Sequence, residues 1–209
     1  MTAYPAPLLL VGGGKMGGAM LAGWLKRGLK PDQALVVDPG AEASAFAASL
    51  GVPAVDDAAA IPVELRPRLI VLAVKPQIMD AVAPAYARYA GQACFLSIAA
   101  GKTIAALRRH LGPAAAVVRA MPNTPAAVGR GISGLVASSG VSVADKAGCA
   151  ALLGAVGQVV WLDDEADMDA VTAVSGSGPA YVFLLIEALA AAGVAAGLTA
   201  DVAEKLARA

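Results

Sequence analysis

Three glycines near the start of the chain have the spacing needed to bind the diphosphate of a dinucleotide. Gly12, Gly14 and Gly17 stand between the apolar run Leu8–Val11 and an Ala- and Leu-rich helical pattern. In such a strand–turn–helix unit the first glycine permits the tight turn, the second lets backbone approach the diphosphate, and the third lets helix and strand pack closely. The free N–H groups at the helix start then favour the phosphate charge. The predicted cofactor contacts are therefore Gly12, Gly13, Gly14, Lys15, Met16 and Gly17. The alternative is that these glycines form only a structural turn.

An acidic residue follows at the distance expected for a ribose contact. Asp38 closes the apolar run Leu35–Val37 and lies 21 positions after Gly17. A carboxylate there accepts hydrogen bonds from the adenosine ribose of NAD and repels the extra phosphate of NADP. No Lys or Arg occurs from residue 31 to 65, so the sequence favours NADH over NADPH. Asp38 also suits the start of an Asp-Pro-Gly turn, and both roles are compatible.

Two loops that follow predicted strands carry further candidate contacts. In the first loop Pro76 blocks the α conformation of Lys75 and so fixes its direction. In the second, Met121–Pro125, two prolines leave Asn123 as a polar group on a stiffened turn. Because ligands of open α/β sheets lie outside the carboxyl ends of the strands, the predicted cofactor contacts include Ala73, Val74, Lys75, Pro76 and Asn123. A solvated lysine and a plain turn are the alternatives.

The segment Ser175–Pro179 has the composition of a helix start. Serine or glycine suits the cap, and proline suits the first turn. Its exposed N–H groups are predicted to hold a carboxylate, so the candidate substrate contacts are Ser175, Gly176, Ser177 and Gly178. A helix start without a ligand is the alternative, and the sequence identifies no catalytic acid or base.

Composition and charge exclude several classes of function. The formal net charge is zero, from 16 basic and 16 acidic residues, and there is no basic block for nucleic acid. Cys94 and Cys149 fit no metal or redox spacing, and His110 is the single histidine, so no metal site is expected. The N-terminal apolar run is too short for a signal peptide, and a reduced cytoplasmic location is expected.

Alternating strand and helix patterns predict an α/β fold with a doubly wound, Rossmann-like N-terminal domain. Little polar alternation interrupts the strands, as a parallel sheet buried on both faces requires. The predicted strands are Leu8–Val11, Leu35–Val37, Leu69–Val74, Cys94–Ala99, Ala115–Val118, Ile132–Ala137 and Val159–Leu162. The predicted helices are Lys15–Arg27, Ala43–Leu50, Gln77–Tyr89, Thr103–His110, Val143–Leu153 and Pro179–Ala196.

The pattern changes after residue 164, where an acidic cluster is followed by helices only. We therefore predict a dinucleotide-binding domain over 1–164 and the start of a helical dimerisation and substrate domain over 165–209. The helix Pro179–Ala196 is almost free of charge, and it is interpreted as a buried helix rather than a membrane span. It cannot bury all its faces against itself, which predicts a homo-oligomer formed through the C-terminal helices.

Four motifs together resemble those of pyrroline-5-carboxylate reductases. They are the turn 12–17, the loop Ala73–Pro76, the loop Met121–Pro125 and the long stretch Asp169–Tyr181. The resemblance covers nearly all of the chain, and its last motif is the most specific. It implies reduction of the C=N bond of 1-pyrroline-5-carboxylate to L-proline by hydride from NAD(P)H, in dimers built from interleaved C-terminal helices.

Three departures from the family qualify these expectations. Lys15 stands where the family usually has Asn, which places a cation at the phosphate turn. Asp38 opposes the NADPH that family members often use. The family continues through several more helices that complete the substrate site, so we expect the helical segment to be incomplete and this chain to bind dinucleotide but reduce imine poorly. The alternatives are a catalytically incomplete dimerisation module and another dehydrogenase of similar two-domain plan.

Overall fold

A single sheet of eight strands organises the first three quarters of the chain in this computed structural model, which describes residues 4–209. Its strands are apolar because helices cover both faces. They are β1 (Leu8–Val11), β2 (Ala34–Val37), β3 (Ala54–Val55), β4 (Leu69–Leu72), β5 (Cys94–Ser97), β6 (Ala116–Met121), β7 (Gly131–Ala137) and β8 (Gly157–Trp161).

The helices follow the strands in alternation and then continue alone. They are α1 (Lys15–Lys26), α2 (Ala41–Ser49), α3 (Met79–Val82), α4 (Ile104–Leu111), α5 (Val143–Gly154), α6 (Met168–Val171), α7 (Gly178–Ala195) and α8 (Ala200–Arg208). Thr103 caps α4, because its hydroxyl accepts a hydrogen bond from the Ala106 amide at 3.1 Å.

The strand order β3-β2-β1-β4-β5-β6-β7-β8 confirms the doubly wound, Rossmann-like prediction. Strands β1 to β6 are parallel, so their carboxyl ends lie on one edge. β7 pairs antiparallel with β6, and β8 pairs parallel with β7. The order reverses between β1 and β4, which creates the crevice where ligands of such sheets bind.

Two hydrophobic clusters, one on each face, hold this sheet rigid. Alternate residues of β1 divide between them: Leu8 and Leu10 pack with Trp24 of α1, whereas Leu9 and Val11 pack on the opposite face. The Trp24 indole N–H donates to the Leu152 carbonyl at 2.9 Å, so the tryptophan satisfies its polar atom while buried. The site is therefore built on a fully packed scaffold.

One predicted helix is broken in the structure, and one observed strand was not predicted. The helix expected over Gln77–Tyr89 is a 3-10 turn (Pro76–Ile78), the short α3 and a second 3-10 segment (Ala83–Tyr89). Pro84 lacks the N–H that a continuous α-helix needs there. The two-residue strand β3 was not predicted, because a run that short carries no periodicity.

The C-terminal helices are the least covered part of the fold. None of the residues of α7 is buried in the single chain, so the burial predicted for this helix requires packing beyond one copy. The helical run Glu165–Ala195, which contains α7, is long and apolar enough to cross a membrane by length and composition alone. α7 and α8 pack closely, since a Cβ added at Gly193 would lie 3.0 Å from the Ala203 Cβ. The outer apolar surface requires another partner.

Candidate functional site

The glycine turn forms a backbone cradle at the carboxyl edge of the sheet. Gly12 has a φ of +96°, and a Cβ there would lie 2.8 Å from the Ala73 carbonyl carbon. A Cβ on Gly17 would lie 2.1 Å from the Gly12 oxygen, so β1 and α1 meet only because both residues are glycine. Gly14 differs, because a Cβ there would meet nothing within 4 Å. The turn therefore has open space above its second glycine, as a bound diphosphate requires.

Asp38 connects this turn to the loop after β2. Its Oδ2 accepts a hydrogen bond from the Gly13 amide at 2.7 Å, and its Oδ1 accepts one from the Gly40 amide at 2.8 Å. The second bond is the Asp-Pro-Gly turn anticipated from the sequence. Each carboxylate oxygen keeps a further lone pair, so a ribose hydroxyl can still donate to it.

A cavity of about 430 Å³ opens between these two loops. Its charged lining is Lys15 from the start of α1, together with Asp38 and Glu42 beside it. Glu42 was not among the residues predicted from the sequence, although its position in the first turn of α2 could have identified it. The cavity is therefore lined by two carboxylates, those of Asp38 and Glu42, and by one cation, Lys15.

The loop after β4 lies directly against the glycine turn. The Ala73 amide donates to the Val11 carbonyl at 2.7 Å, which ties the ends of β4 and β1 together. Lys75 is extended, with φ −58° and ψ 142°, as expected for a residue before proline. Its side chain is exposed at the edge of the crevice. Ala73, Val74, Lys75 and Pro76 are therefore brought beside the residues of the turn.

The loop after β6 meets the C-terminal helical segment. The Asn123 Oδ1 accepts a hydrogen bond from the Ile132 amide at 2.9 Å, and its Nδ2 donates to the Ser175 Oγ at 3.3 Å. Gly176 also lies against this loop, because a Cβ there would be 2.6 Å from the Met121 Cε. A predicted cofactor residue and predicted substrate residues therefore lie together across a separation of 52 positions.

The segment Ser175–Pro179 is not the free helix start that its composition suggested. Residues Thr172–Gly176 form a π turn that joins α6 to α7 in one helical run. The Ser177 amide donates to the Thr172 carbonyl at 2.8 Å, so it is not exposed to a ligand. Pro179 does lie in the first turn of α7. π turns are rare and occur frequently at functional sites.

A buried ion pair, absent from the sequence candidates, fixes the start of this helical run. Arg119 of β6 donates to the Glu165 carboxylate at 3.0 Å and lies 3.7 Å from Asp169. The Glu165 Oε1 also accepts a hydrogen bond from the Ile104 amide at 2.8 Å. The usable signal was a lone arginine within the apolar run of β6.

Comparison with known proteins places these features in a family. The model of the family described as pyrroline-5-carboxylate reductase dimerisation matches residues 165–209, and the model described as NADP oxidoreductase, coenzyme F420-dependent, matches residues 8–101. The pyrroline-5-carboxylate reductase of Pseudomonas aeruginosa is 43% identical over 201 residues, which are 95% of this chain and 73% of that protein.

Solved structures agree with this placement. A pyrroline-5-carboxylate reductase from Coxiella burnetii has a TM-score of 0.89 and 33% identity, over 98% of this chain and 76% of that one. The Plasmodium falciparum pyrroline carboxylate reductase with NADP bound has a TM-score of 0.84 and 30% identity, over 98% and 76%. These similarities agree with the glycine turn and with the contact between the β6 loop and the π turn. The chain belongs to the pyrroline-5-carboxylate reductase family.

Proposed function

We propose that this protein reduces the C=N bond of 1-pyrroline-5-carboxylate to give L-proline, with NADH as its preferred reductant. The observation that supports this proposal most directly is the contact of Asn123 with Ser175. It places the edge of the sheet where a dinucleotide would bind against the C-terminal helical segment. Curated relatives at about 40% identity over most of the chain support the reaction. A cytoplasmic location belongs to the same proposal, and the free, buried state of Cys94 and Cys149 supports it.

The residues present fit a dinucleotide. The open space over Gly14 would receive the diphosphate, the first amides of α1 would face it, and Asp38 would accept a hydrogen bond from the ribose. When bound, NADH would supply the hydride that reduces the imine carbon. Because a protonated imine is already electrophilic, the chain's main task is to hold the imine in line and exclude water. The positioning groups in this proposal are Lys75, Asn123 and Ser175.

A turnover assay tests the reaction. Oxidation of NADH and of NADPH is followed by the loss of the absorbance of the reduced nicotinamide ring, with 1-pyrroline-5-carboxylate as the electron acceptor. The same chain extended by the helices of a relative serves as a comparison. Turnover that requires 1-pyrroline-5-carboxylate supports the proposal. Dinucleotide binding without turnover in both forms contradicts it and favours a binding and dimerisation module.

The preference for NADH follows from the charges around the cavity beside Asp38. A 2′-phosphate there would lie near the carboxylates of Asp38 and Glu42, with Lys15 as the one lining cation among the described residues. Charges of the same sign repel. The repulsion between a 2′-phosphate and these carboxylates is stronger in a crevice, where the dielectric constant is lower than in water. The solved structure of the Plasmodium falciparum relative has NADP bound. The NADH preference proposed here therefore concerns this chain and is tested with its own variants.

Replacing Asp38 with asparagine should shift the preference toward NADPH. The change removes the charge and keeps one oxygen for the Gly13 or Gly40 amide. We expect the ratio of kcat/KM for NADPH to that for NADH to rise roughly tenfold. Glu42→Gln, on the same cavity, should give a smaller shift in the same direction. A ratio unchanged by Asp38→Asn would remove Asp38 from this role.

A homodimer through the C-terminal helices completes the proposal. The exposed large apolar side chains of α7 are Tyr181, Val182, Phe183, Leu184, Leu185, Leu189 and Val194. A continuous apolar surface of this kind marks an interface, and the dimerisation model of the family covers the same helix.

Leu185→Asp should convert the dimer to a monomer in sedimentation experiments. Leu185 is 59% exposed in the single chain, and a carboxylate there would be buried without a partner in the dimer. Val63→Asp is the matched control, because Val63 is 88% exposed and lies outside the C-terminal helices. Dimers that persist in Leu185→Asp at low micromolar concentration would exclude this face of α7 from the interface.

A further inference from the structure

A small cavity at the amino edge of the sheet is lined by hydrogen-bond donors and by no carboxylate. It measures about 250 Å³, and its lining residues are Val63, Arg66, Arg88, Tyr89 and Gln92. Arg66 precedes β4, and the other polar members of this set precede β5, which is the parallel neighbour of β4. The cavity therefore lies at the edge of the sheet opposite to the glycine turn, and the proposed reaction does not use it.

Arg66 is held in place by carbonyl groups, which orient its guanidinium without neutralising it. Its Nη1 donates to the Val63 carbonyl at 2.6 Å and to the Leu65 carbonyl at 3.1 Å. Its Nε and Nη2, the two nitrogens along one side of the guanidinium, have no hydrogen-bond partner within residues 4–209. That side has the geometry for a two-pronged contact with an oxyanion.

Arg88 is oriented in a similar way and contacts a buried hydroxyl. Its Nη2 donates to the Ala58 carbonyl and to the Tyr89 Oη, each at 3.0 Å. Tyr89 is 6% exposed, and in the described part of the chain the bond from Arg88 is the one hydrogen bond of its hydroxyl. Because the oxygen is the acceptor in that bond, the hydroxyl hydrogen remains available to an acceptor in the cavity.

None of the ion pairs within residues 4–209 involves either of these arginines. Glu64 lies two positions before Arg66 and does not line the cavity. Asp57 adjoins the carbonyl that binds Arg88, and its carboxylate instead accepts hydrogen bonds from two amides of its own turn, at 2.8 and 3.0 Å. Two positive charges therefore line the cavity without a negative charge beside them.

We propose that this cavity binds the phosphoryl group of a small phosphate ester. Two guanidinium charges match a dianion better than a monoanion, and the Tyr89 hydroxyl and the Gln92 amide can donate to the same group. A phosphoryl group has three terminal oxygens, so it accepts from more directions than a planar carboxylate. This inference does not depend on the proposed function, because the site and the glycine turn lie on opposite edges of the sheet.

Calorimetric titration with inorganic phosphate, at constant ionic strength, tests the site in the intact chain. An excess of NADH keeps the phosphate away from the glycine turn. We expect a Kd of roughly 1 mM or tighter for the wild-type chain, and binding weaker by roughly tenfold or more in Arg66→Gln and in Arg88→Gln. Arg130→Gln is the matched control, because Arg130 is exposed and lies outside the cavity.

Two milder variants separate the geometry of the site from its charge. Arg66→Lys keeps the charge and loses the two-pronged side, and Tyr89→Phe keeps the ring and loses the hydroxyl. We expect each to weaken phosphate binding by roughly 3- to 10-fold. Thermal unfolding midpoints equal to that of Arg130→Gln show that the loss of affinity is not a loss of fold. If either glutamine variant unfolds, these two variants decide the outcome.

The results that would overturn the proposal are distinct. Absence of phosphate binding in the wild-type chain, or an affinity unchanged in the variants of the cavity, would show that this cavity is not a phosphate site. An equal loss in Arg130→Gln would mean general electrostatic attraction. Acetate and succinate are titrated as carboxylate probes. Much weaker binding of both supports the phosphoryl group, whereas succinate that binds as tightly as phosphate would overturn it in favour of a dicarboxylate.

Discussion

Gly17→Ala is expected to abolish dinucleotide binding and to lower the free energy of unfolding by roughly 1–3 kcal/mol. The added Cβ would lie 2.1 Å from the Gly12 oxygen and 3.2 Å from its carbonyl carbon. Both atoms are backbone, so the strand–turn–helix unit must open to accommodate the methyl group. For a chain of this length, such a loss lowers the unfolding midpoint by about 2–4 °C per kcal/mol. NADH titration and thermal unfolding measure the two effects.

Gly14→Ala is the matched comparison for this prediction. Its φ is −63°, and a Cβ there would meet nothing within 4 Å, so the fold should keep its stability. The methyl group would nevertheless stand in the space assigned to the diphosphate and weaken NADH binding. Full NADH affinity in Gly14→Ala would show that the dinucleotide does not approach this glycine. Wild-type stability in Gly17→Ala would contradict the close approach of α1 to the turn.

The sheet and its glycine turn were predictable because their signals are local. β1 matches the prediction residue for residue, since four apolar residues buried on both faces precede the glycine motif. The strand bounds elsewhere moved by a few residues, because hydrogen bonding extends β6 through Arg119 to Met121 beyond the purely apolar run. A charged residue such as Arg119 interrupts the apolar pattern of a buried strand, even when an ion pair stabilises its charge there.

The contacts within the site were not predictable, because they join distant parts of the chain. Asn123 and Ser175 were both identified as polar groups in unusual local sequence, yet nothing in their spacing shows that they touch. The π turn at Thr172–Gly176 also has no periodic signature, and a Ser-Gly-Ser-Gly-Pro sequence reads equally well as a loop. Helix α7 shows the reverse case: its sequence is apolar enough to predict burial, but none of its residues is buried within the single chain.

Arg119 determines how the C-terminal helical run is attached to the sheet. Its side chain is 5% exposed and pairs with Glu165, which is 28% exposed and also accepts from the amide that begins α4. Strand β6, helix α4 and the start of the helical run Glu165–Ala195 therefore meet at one carboxylate. Asp169 adds little, because it is 94% exposed and lies 3.7 Å away. The direction of the run that carries Ser175 follows from this junction.

Arg119→Met should destabilise the fold by roughly 2–3 kcal/mol and reduce kcat/KM for 1-pyrroline-5-carboxylate. Removing one partner of a buried pair costs more than the pair contributes, and the partial exposure of Glu165 places the value below the fully buried case. Urea unfolding and steady-state kinetics measure the two effects. Asp169→Asn is the control and should change stability by less than about 0.5 kcal/mol.

The double variant Arg119→Met with Glu165→Gln distinguishes an unpaired charge from lost packing. The glutamine oxygen can still accept from the Ile104 amide, and no uncompensated carboxylate remains beside β6. We therefore expect part of the lost stability to return, with an interaction energy of about 1 kcal/mol or more between the two sites. If stability returns while kcat/KM does not, the ion pair orients the helical run in addition to stabilising it. Strictly additive losses would instead mean that Arg119 acts through its packing and that Glu165 is not its energetic partner.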